Sequence, residues 1–155
     1  MTLLPRNLLG MAVPPVVLIR PQIAALCWRK KRGQVEILLI TSRDTGRWVL
    51  PKGWPMDGRT AYEAAALEAW EEAGVRGAVC DQTFGRFQYD KLHPSKPTQR
   101  CEVTVYSLRV GRLEPKFPEY KERRRKWFSA RKAAKAVHEA ELAELILKAS
   151  TELGA

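Results

Sequence analysis

Three glutamates stand close together in "LEAWEEAG", residues 67–74, a segment that otherwise has the composition of a helix. Glu68, Glu71 and Glu72 occupy positions i, i+3 and i+4, which places them on one helix face within an arc of about 100°. Each like-charged i, i+4 neighbour costs a helix roughly 0.2–0.5 kcal/mol, and the segment contains no lysine or arginine to offset this repulsion. The spacing favours a divalent cation as the missing partner, and a solvated charged face is the alternative.

The overall charge of the chain points to an anionic ligand. Lys and Arg total 27 against 17 Asp and Glu, a formal net charge of +10. A charge of this size favours a polyanionic partner or substrate. Nucleic acid, an anionic membrane surface and a highly phosphorylated small molecule all fit it.

Length and composition favour a single domain over residues 1–155, with residues 1–15 as a flexible arm. A chain of 155 residues with 45% hydrophobic content is long enough to bury one core. The longest apolar run, "MAVPPVVLI" at 11–19, is broken by two prolines and falls short of the roughly 20 residues that span a bilayer, so no membrane association is expected. Three widely spaced cysteines suggest neither a disulfide framework nor a zinc site, which predicts a reducing, cytoplasmic location.

The acidic segment has clear helix boundaries. Thr60 and Glu63 form the pattern of a capping box, and Gly74 is suited to the C′ position, so a helix is predicted over 61–73. A helical wheel predicts a buried face opposite the glutamates, made of Tyr62, Ala66, Ala69, Trp70 and Ala73. It also places three alanines beside the glutamates, where they either leave space for a ligand or only raise helix propensity: Ala61, Ala64 and Ala65.

Strands are predicted before this helix. Two apolar runs, "PQIAALCWRK" at 21–30 and "QVEILLITSR" at 34–43, are separated by a basic turn and read as a hairpin. "RWVLPKGWPMDGR" at 47–59 follows as a short strand that gives way to a loop rich in Gly and Pro.

The pattern after the helix completes the architecture. Two further strands are predicted at 77–90 and 100–110, joined by a polar loop at 91–99. Residues 126–150 are predicted to be helical in one or two pieces, with Ser129 as an N-cap. Strands on both sides of one helix, followed by a terminal helical region, predict an α/β sandwich.

The stretch around the glutamates resembles a known family motif. "GWPMDGRTAYEAAALEAWEEAGV" at 53–75 is similar to the Nudix box, G-x5-E-x7-R-E-U-x-E-E-x-G-U, where U is aliphatic. Seven residues fall on the motif positions: Gly53, Glu68, Ala69, Glu71, Glu72, Gly74 and Val75. Arg59 stands where the family has glutamate, and Leu67 where it has arginine. Those two usually pair, so losing both strands no charge, and we expect the departures to tune the site without silencing it.

The resemblance extends beyond the box to one branch of the family. "TSR" at 41–43, "RWVLPKG" at 47–53 and the basic segment before "WF" at 127–128 are similar to the diphosphoinositol polyphosphate phosphohydrolases, whose relatives also cleave diadenosine polyphosphates. The resemblance implies a Nudix-type α/β/α sandwich with a mixed sheet. It also implies hydrolysis of a phosphoanhydride bond in a polyphosphorylated substrate, with Mg²⁺, or Mn²⁺ in its place, as the cofactor.

Residue roles follow from the same resemblance. Glu68 and Glu72 are assigned to the metal with help from the Gly53 carbonyl, and Glu71 to the metal or to base catalysis; which glutamate accepts the proton of water stays open. Phosphate contacts are expected from Arg100, from one of Arg123, Arg124 or Arg125, with Arg124 as the candidate, and from these further residues: Arg20, Ser42, Arg43 and Lys52.

Two other functions fit parts of the sequence. The departures at 59 and 67 suit a Nudix-fold module that binds a polyphosphate without turning it over. The interleaved basic and aromatic residues at 120–135 suit an RNA-binding protein, which we favour less because no recognised nucleic-acid motif is present. The sequence leaves the oligomeric state open.

Overall fold

The structure is a computed structural model that describes residues 6, 8–11 and 18–154. The predicted arm at 1–15 lies largely outside these residues and stays a prediction. Within the described part there are seven strands: β1 Ile19–Lys31, β2 Gln34–Thr41, β3 Trp48–Val49, β4 Lys52–Gly53, β5 Val75–His93, β6 Lys96–Leu113 and β7 Arg125–Ser129. They form one sheet in the order β3-β2-β1-β6-β5, with β4 paired to β1 and β7 paired to β2.

The sheet is mixed, as predicted. β1 and β6 run parallel, with Ile19 opposite Arg100 and Trp28 opposite Arg109, and the other strand pairs are antiparallel. The predicted β1–β2 hairpin is confirmed, and its turn places Arg32 and Gly33 at φ 51° and 78°, the left-handed region that suits a two-residue hairpin.

Helices cover both faces of the sheet, which confirms the α/β/α sandwich. The helices are α1 Ala61–Ala73, α2 Ala130–Ala136 and α3 Ala140–Glu152. One core lies between the sheet and α2 with α3, and includes Leu26, Leu39 and Ile146. The second lies between the opposite face and α1, and includes Leu38 and Ala69.

The helix α1 begins and ends where the sequence predicts. The Thr60 hydroxyl accepts from the Glu63 backbone N–H at 3.3 Å, and the Glu63 carboxylate accepts from the Thr60 backbone N–H at 3.0 Å. Gly74 ends the helix at φ 67°, a conformation that glycine adopts without steric cost. A Cβ at Gly74 would lie 2.4 Å from the Phe117 ring, so space as well as backbone conformation requires glycine there.

The predicted buried face of α1 is wrong in part. Ala64 and Ala65, placed beside open space by the helical wheel, are fully buried in the core against the sheet, as are Ala69 and Ala73. Glu72 lies on the same face and is 5% exposed. The acidic side of the helix therefore packs toward the sheet rather than away from it.

Two segments differ from their predicted secondary structure. The loop expected at 91–99 is mostly strand, because β5 and β6 continue to pair until a two-residue turn at 94–95; this end of the hairpin includes a cross-strand ion pair between Asp90 and Arg100. Residues 126–128, expected to be helical, belong to β7, where Trp127 pairs with Leu38 of β2. Ser129 then caps α2 as predicted, by accepting from the Lys132 N–H.

Candidate active site

Gly53 and Glu68, the glycine and the first glutamate of the predicted metal site, meet where α1 crosses the sheet. β4 pairs with β1, with Ile23 opposite Gly53 and Ala24 opposite Lys52, and this pairing holds the backbone of β4 beside α1. A Cβ on Gly53 would lie 2.2 Å from Oε1 of Glu68. Glycine at 53 therefore leaves the space that the Glu68 carboxylate occupies.

The Glu68 carboxyl group occupies a poorly solvated position, which disfavours its charged form. Its pKa is raised from 4.5 to about 8, first by burial and then by repulsion from Glu72, Glu71 and Glu119. No residue in the described part of the chain donates a hydrogen bond to it. The ionised form of Glu68 thus lacks a sufficient cationic partner among the protein's own side chains.

Glu72 is more deeply buried than Glu68, and both of its carboxylate oxygens have a partner in the protein. One of its oxygens accepts from the Lys52 backbone N–H at 3.3 Å, and the other lies 3.4 Å from a terminal nitrogen of Arg123. Burial still raises its pKa to about 7, although Arg123 and the Lys52 hydrogen bond act in the opposite direction. The Lys52 side chain lies 5.1 Å from the centre of the Tyr89 ring, and burial lowers its pKa while the Glu72 charge opposes this.

These carboxylates line a cavity of about 970 Å³. Its wall also contains cations from the segment 42–47, from β4 and β5, and from the segment before β7, namely Arg43, Arg47, Lys52, Lys91 and Arg123. Acidic and cationic groups therefore line one space that is large enough for a small-molecule ligand.

The structure brings together most of the predicted site residues. The predicted residues that line the cavity are Ser42, Arg43, Lys52, Gly53, Glu68, Glu71 and Glu72. Arg43 has a side chain 54% exposed and lies 3.6 Å from both Glu119 and Glu122. The segment that carries Ser42 and Arg43 is held as a turn, because the Gly46 N–H donates to the Ser42 carbonyl at 2.9 Å and the Ser42 N–H donates to the Arg47 carbonyl at 2.7 Å.

Three predicted phosphate contacts are not among the described residues that line the cavity. Arg20 lies 5.2 Å from the centre of the Trp54 ring at the edge of the cavity. Arg100 pairs with Asp90, with Nε 3.1 Å from Oδ1. Arg124 lies 5.6 Å from the centre of the Trp48 ring, while its neighbour Arg123 enters the cavity, as expected if successive residues of an extended segment point in opposite directions.

Two residues that face the glutamates, Arg123 and Glu119, could not be singled out from the sequence. Arg123 was one of three adjacent arginines, and only the register of the chain that enters β7 distinguishes them. Glu119 lies on a turn before β7, where its N–H donates to the Glu71 carbonyl at 3.0 Å. No local sequence signal marks Glu119, because its position depends on packing between distant segments.

The donor chemistry fits a hard divalent cation, although the carboxylates are not gathered around one point. In the described ranges, no three His, Cys, Asp or Glu side chains converge closely enough to hold a metal ion between them. The box nevertheless offers carboxylate oxygens and a backbone carbonyl, the ligand types that Mg²⁺ prefers. A cation there would also relieve the repulsion that raises the pKa of Glu68.

The fold and this acidic face together define the class of protein. A family model described as the NUDIX domain matches residues 19–148, and the chain belongs to the Nudix family. It is 34% identical over 105 residues to Nudix hydrolase 16, mitochondrial, of Arabidopsis thaliana, covering 66% of this chain and 58% of that protein. It is 30% identical over 120 residues to diphosphoinositol polyphosphate phosphohydrolase 3-alpha of Homo sapiens, covering 76% of this chain and 69% of that protein.

A solved structure shows the same fold. The Ap4A hydrolase of C. elegans superposes with a TM-score of 0.63 at 21% identity, covering 88% of this chain and 100% of that one. The chain spans only 51–58% of the length of four plant relatives that it matches. Those relatives are named as mitochondrial or chloroplastic, so the cytoplasmic location stays a prediction. None of the helices described is long and apolar enough to cross a membrane.

Replacing Gly53 with alanine tests the space that this glycine provides. The added methyl group would displace the Glu68 carboxylate, whose flexible side chain can move, so we expect thermal stability to change little. The Mg²⁺ concentration that half-saturates the metal-dependent rise in melting temperature should increase by about 10- to 100-fold. Gly111→Ala is the control, because its Cβ would meet nothing closer than 3.3 Å and Gly111 does not line the cavity. An unchanged Mg²⁺ midpoint in Gly53→Ala would contradict the assignment.

The raised pKa of Glu68 predicts how stability depends on pH without metal. Because the folded-state pKa of about 8 exceeds the ordinary glutamate pKa of 4.5, the contribution of Glu68 to stability is fully present below about 4.5 and is lost as pH rises through about 8. In EDTA, Glu68→Gln should therefore gain melting temperature relative to wild type as pH rises from 5 to 8.5. Glu63→Gln should show no such gain, because capping by Thr60 lowers the pKa of Glu63. A Glu68→Gln difference independent of pH would refute this.

Proposed function

We propose that this chain is a Mg²⁺-dependent Nudix hydrolase that cleaves a phosphoanhydride bond in a polyphosphorylated small molecule. The observation that carries the proposal is the cavity that Glu68 and Glu72 line together with Arg43 and Lys52. Bound Mg²⁺ would neutralise phosphate charge beside these carboxylates, with Mn²⁺ as a substitute. Diadenosine polyphosphates and diphosphoinositol polyphosphates are the substrate types that the related proteins suggest.

The chain's own residues account for the remaining parts of the reaction. Glu68, Glu72 and the Gly53 carbonyl are the proposed metal ligands, and Glu71 is proposed to bind metal or to act as the base. Water attacks phosphorus, its proton passes to one of the three carboxylates, and the P–O bond to the leaving phosphate breaks, so that the leaving oxygen keeps the electron pair. We leave open which glutamate accepts the proton.

Cations that line the same cavity are suited to hold the phosphates. Arg43 is proposed as a phosphate ligand because its side chain is 54% exposed and its ion pairs at 3.6 Å are long, so it can turn toward a phosphate with little loss. Lys52 is a second candidate, since it lies beside both Glu72 and the cavity. The Ser42 hydroxyl group can donate a hydrogen bond to a phosphate oxygen. Arg20 and Arg100 remain candidates only at the edge of the site.

The RNA-binding alternative has less support. In the basic run 120–135, Arg125 donates to the Ala73 carbonyl at 2.8 Å and lies 4.9 Å from the centre of the Phe117 ring. Arg123 is 10% exposed and pairs with Glu72. Part of this positive charge therefore serves packing and ion pairing inside the protein. The remaining alternative, a module that binds without turnover, is motivated by Arg59 and Leu67 and is separated by an activity assay.

The first test is phosphate release from a panel of diphosphates and polyphosphates, with and without Mg²⁺. Glu68→Gln and Glu72→Gln should each lower the rate by about 10²- to 10⁴-fold while the protein stays folded, since each removes a carboxylate from the reacting centre. Glu63→Gln, an exposed change on the same helix, should leave the rate intact. Near-wild-type rates in either cavity variant at saturating Mg²⁺ would contradict the site. Absence of turnover on every compound by wild type, together with tight binding of one, would favour the binding module.

The second test concerns the number of phosphates. We expect kcat/KM to be higher for diadenosine tetraphosphate and diphosphoinositol polyphosphates than for ADP-ribose, because the cavity offers more cations than one diphosphate engages. Arg43→Ala should raise KM for the polyphosphates by about ten- to a hundredfold and change KM for ADP-ribose far less.

Arg112→Ala is the matched control for this second test, because it removes the same charge from an exposed residue that does not line the cavity. All assays must share one ionic strength. Equal kcat/KM for ADP-ribose and diadenosine tetraphosphate would leave a Nudix hydrolase without a polyphosphate preference.

A further inference from the structure

The acidic helix lacks the ion pair that usually accompanies its motif. Arg59 is exposed, and Leu67 is a partly buried side chain that cannot donate a hydrogen bond. Glu72 nevertheless lies at 5% exposure with both carboxylate oxygens engaged. Some other group must hold this buried charge in place, because an unpaired buried carboxylate is strongly unfavourable.

Arg123 meets that requirement from outside the motif. Its side chain is 10% exposed, and its three nitrogens contact three separate parts of the fold. Nε donates to Glu119 at 3.0 Å, one terminal nitrogen donates to the Thr41 carbonyl at 3.1 Å, and the other lies 3.4 Å from Glu72. The planar guanidinium group thus links the end of β2, the turn before β7 and the C-terminal half of α1.

The backbone around Arg123 is fixed independently of its side chain. The Thr41 hydroxyl accepts from the Arg124 N–H at 2.9 Å, and the Thr41 N–H donates to the Arg124 carbonyl at 3.0 Å. The turn that carries Glu119 is attached to α1 through the Glu71 carbonyl. Arg123 is therefore held before any ligand arrives, as a positioning group requires.

We propose that Arg123 is a positioning residue that orients the Glu72 carboxylate in the cavity, and that it is not a phosphate ligand. This proposal rests on the proposed function for its effect on turnover, but its effect on metal affinity is independent of turnover. Arg43 provides the contrast: both arginines line the cavity, yet Arg43 is exposed with contacts of 3.6 Å, whereas Arg123 is buried with shorter hydrogen bonds to Glu119 and Thr41.

The experiment compares Arg123→Lys, Arg123→Met and Arg43→Ala. Mn²⁺ affinity is measured by water-proton relaxation without substrate, and kcat and KM are measured with Mg²⁺. Arg123→Lys keeps the charge and loses the planar fork; we expect it to lower Mn²⁺ affinity and kcat by about 10- to 100-fold with little change in KM. Arg43→Ala should leave Mn²⁺ affinity unchanged and raise KM. If Arg123→Met does not fold, the Mn²⁺ affinity, kcat and KM of Arg123→Lys decide whether Arg123 positions Glu72.

A rise in KM by Arg123→Lys with unchanged kcat and Mn²⁺ affinity would instead identify a phosphate ligand and overturn the proposal. If wild type has no turnover, the proposed function fails, and the Mn²⁺ affinities still decide the role of Arg123.

Discussion

Burial of negative charge on α1 is the constraint on which the arrangement of the site depends. Glu68 and Glu72 lie toward the sheet, and burial is the largest cause that raises the pKa of each. A helix bears this unfavourable charge only where compensation is close at hand. For Glu72 the compensation comes from the Lys52 backbone and from Arg123; for Glu68 the described residues offer only the weak attraction of Arg123. That imbalance marks Glu68 as the position where a cation has most to contribute.

Small residues make this burial geometrically feasible. Ala64, Ala65, Ala69 and Ala73 are fully buried between α1 and the sheet, so the helix approaches closely and brings its glutamates to β4. At that crossing, the absence of a side chain on Gly53 leaves space for the Glu68 carboxylate. These alanines combine high helix propensity with close packing against the sheet.

Local signals could be predicted from the sequence, and features set by long-range packing could not. The limits of α1 were predicted correctly because Thr60, Glu63 and Gly74 act within one turn of the helix ends. The helical wheel is wrong about the burial of Ala64 and Ala65, because charge alone does not mark the exposed face of this helix. Its three clustered glutamates are themselves at least partly buried. The end of the β5–β6 hairpin was missed since its pairing depends on contacts across strands.

The same distinction applies to the cations. The sequence shows three adjacent arginines at 123–125, of which Arg124 was the predicted phosphate contact, but the structure gives each a different environment: Arg123 contacts Glu72, Arg124 lies over Trp48, and Arg125 binds the C-terminal end of α1. Positive charge in this protein therefore has two uses. The partly buried Arg123 and Arg125 are held by protein groups, whereas Arg43 is 54% exposed and has ion pairs of 3.6 Å. Because Arg123 and Arg125 are engaged by protein groups, a net charge of +10 overstates the charge available to a ligand. Local geometry rather than total charge should therefore decide which anion the cavity selects.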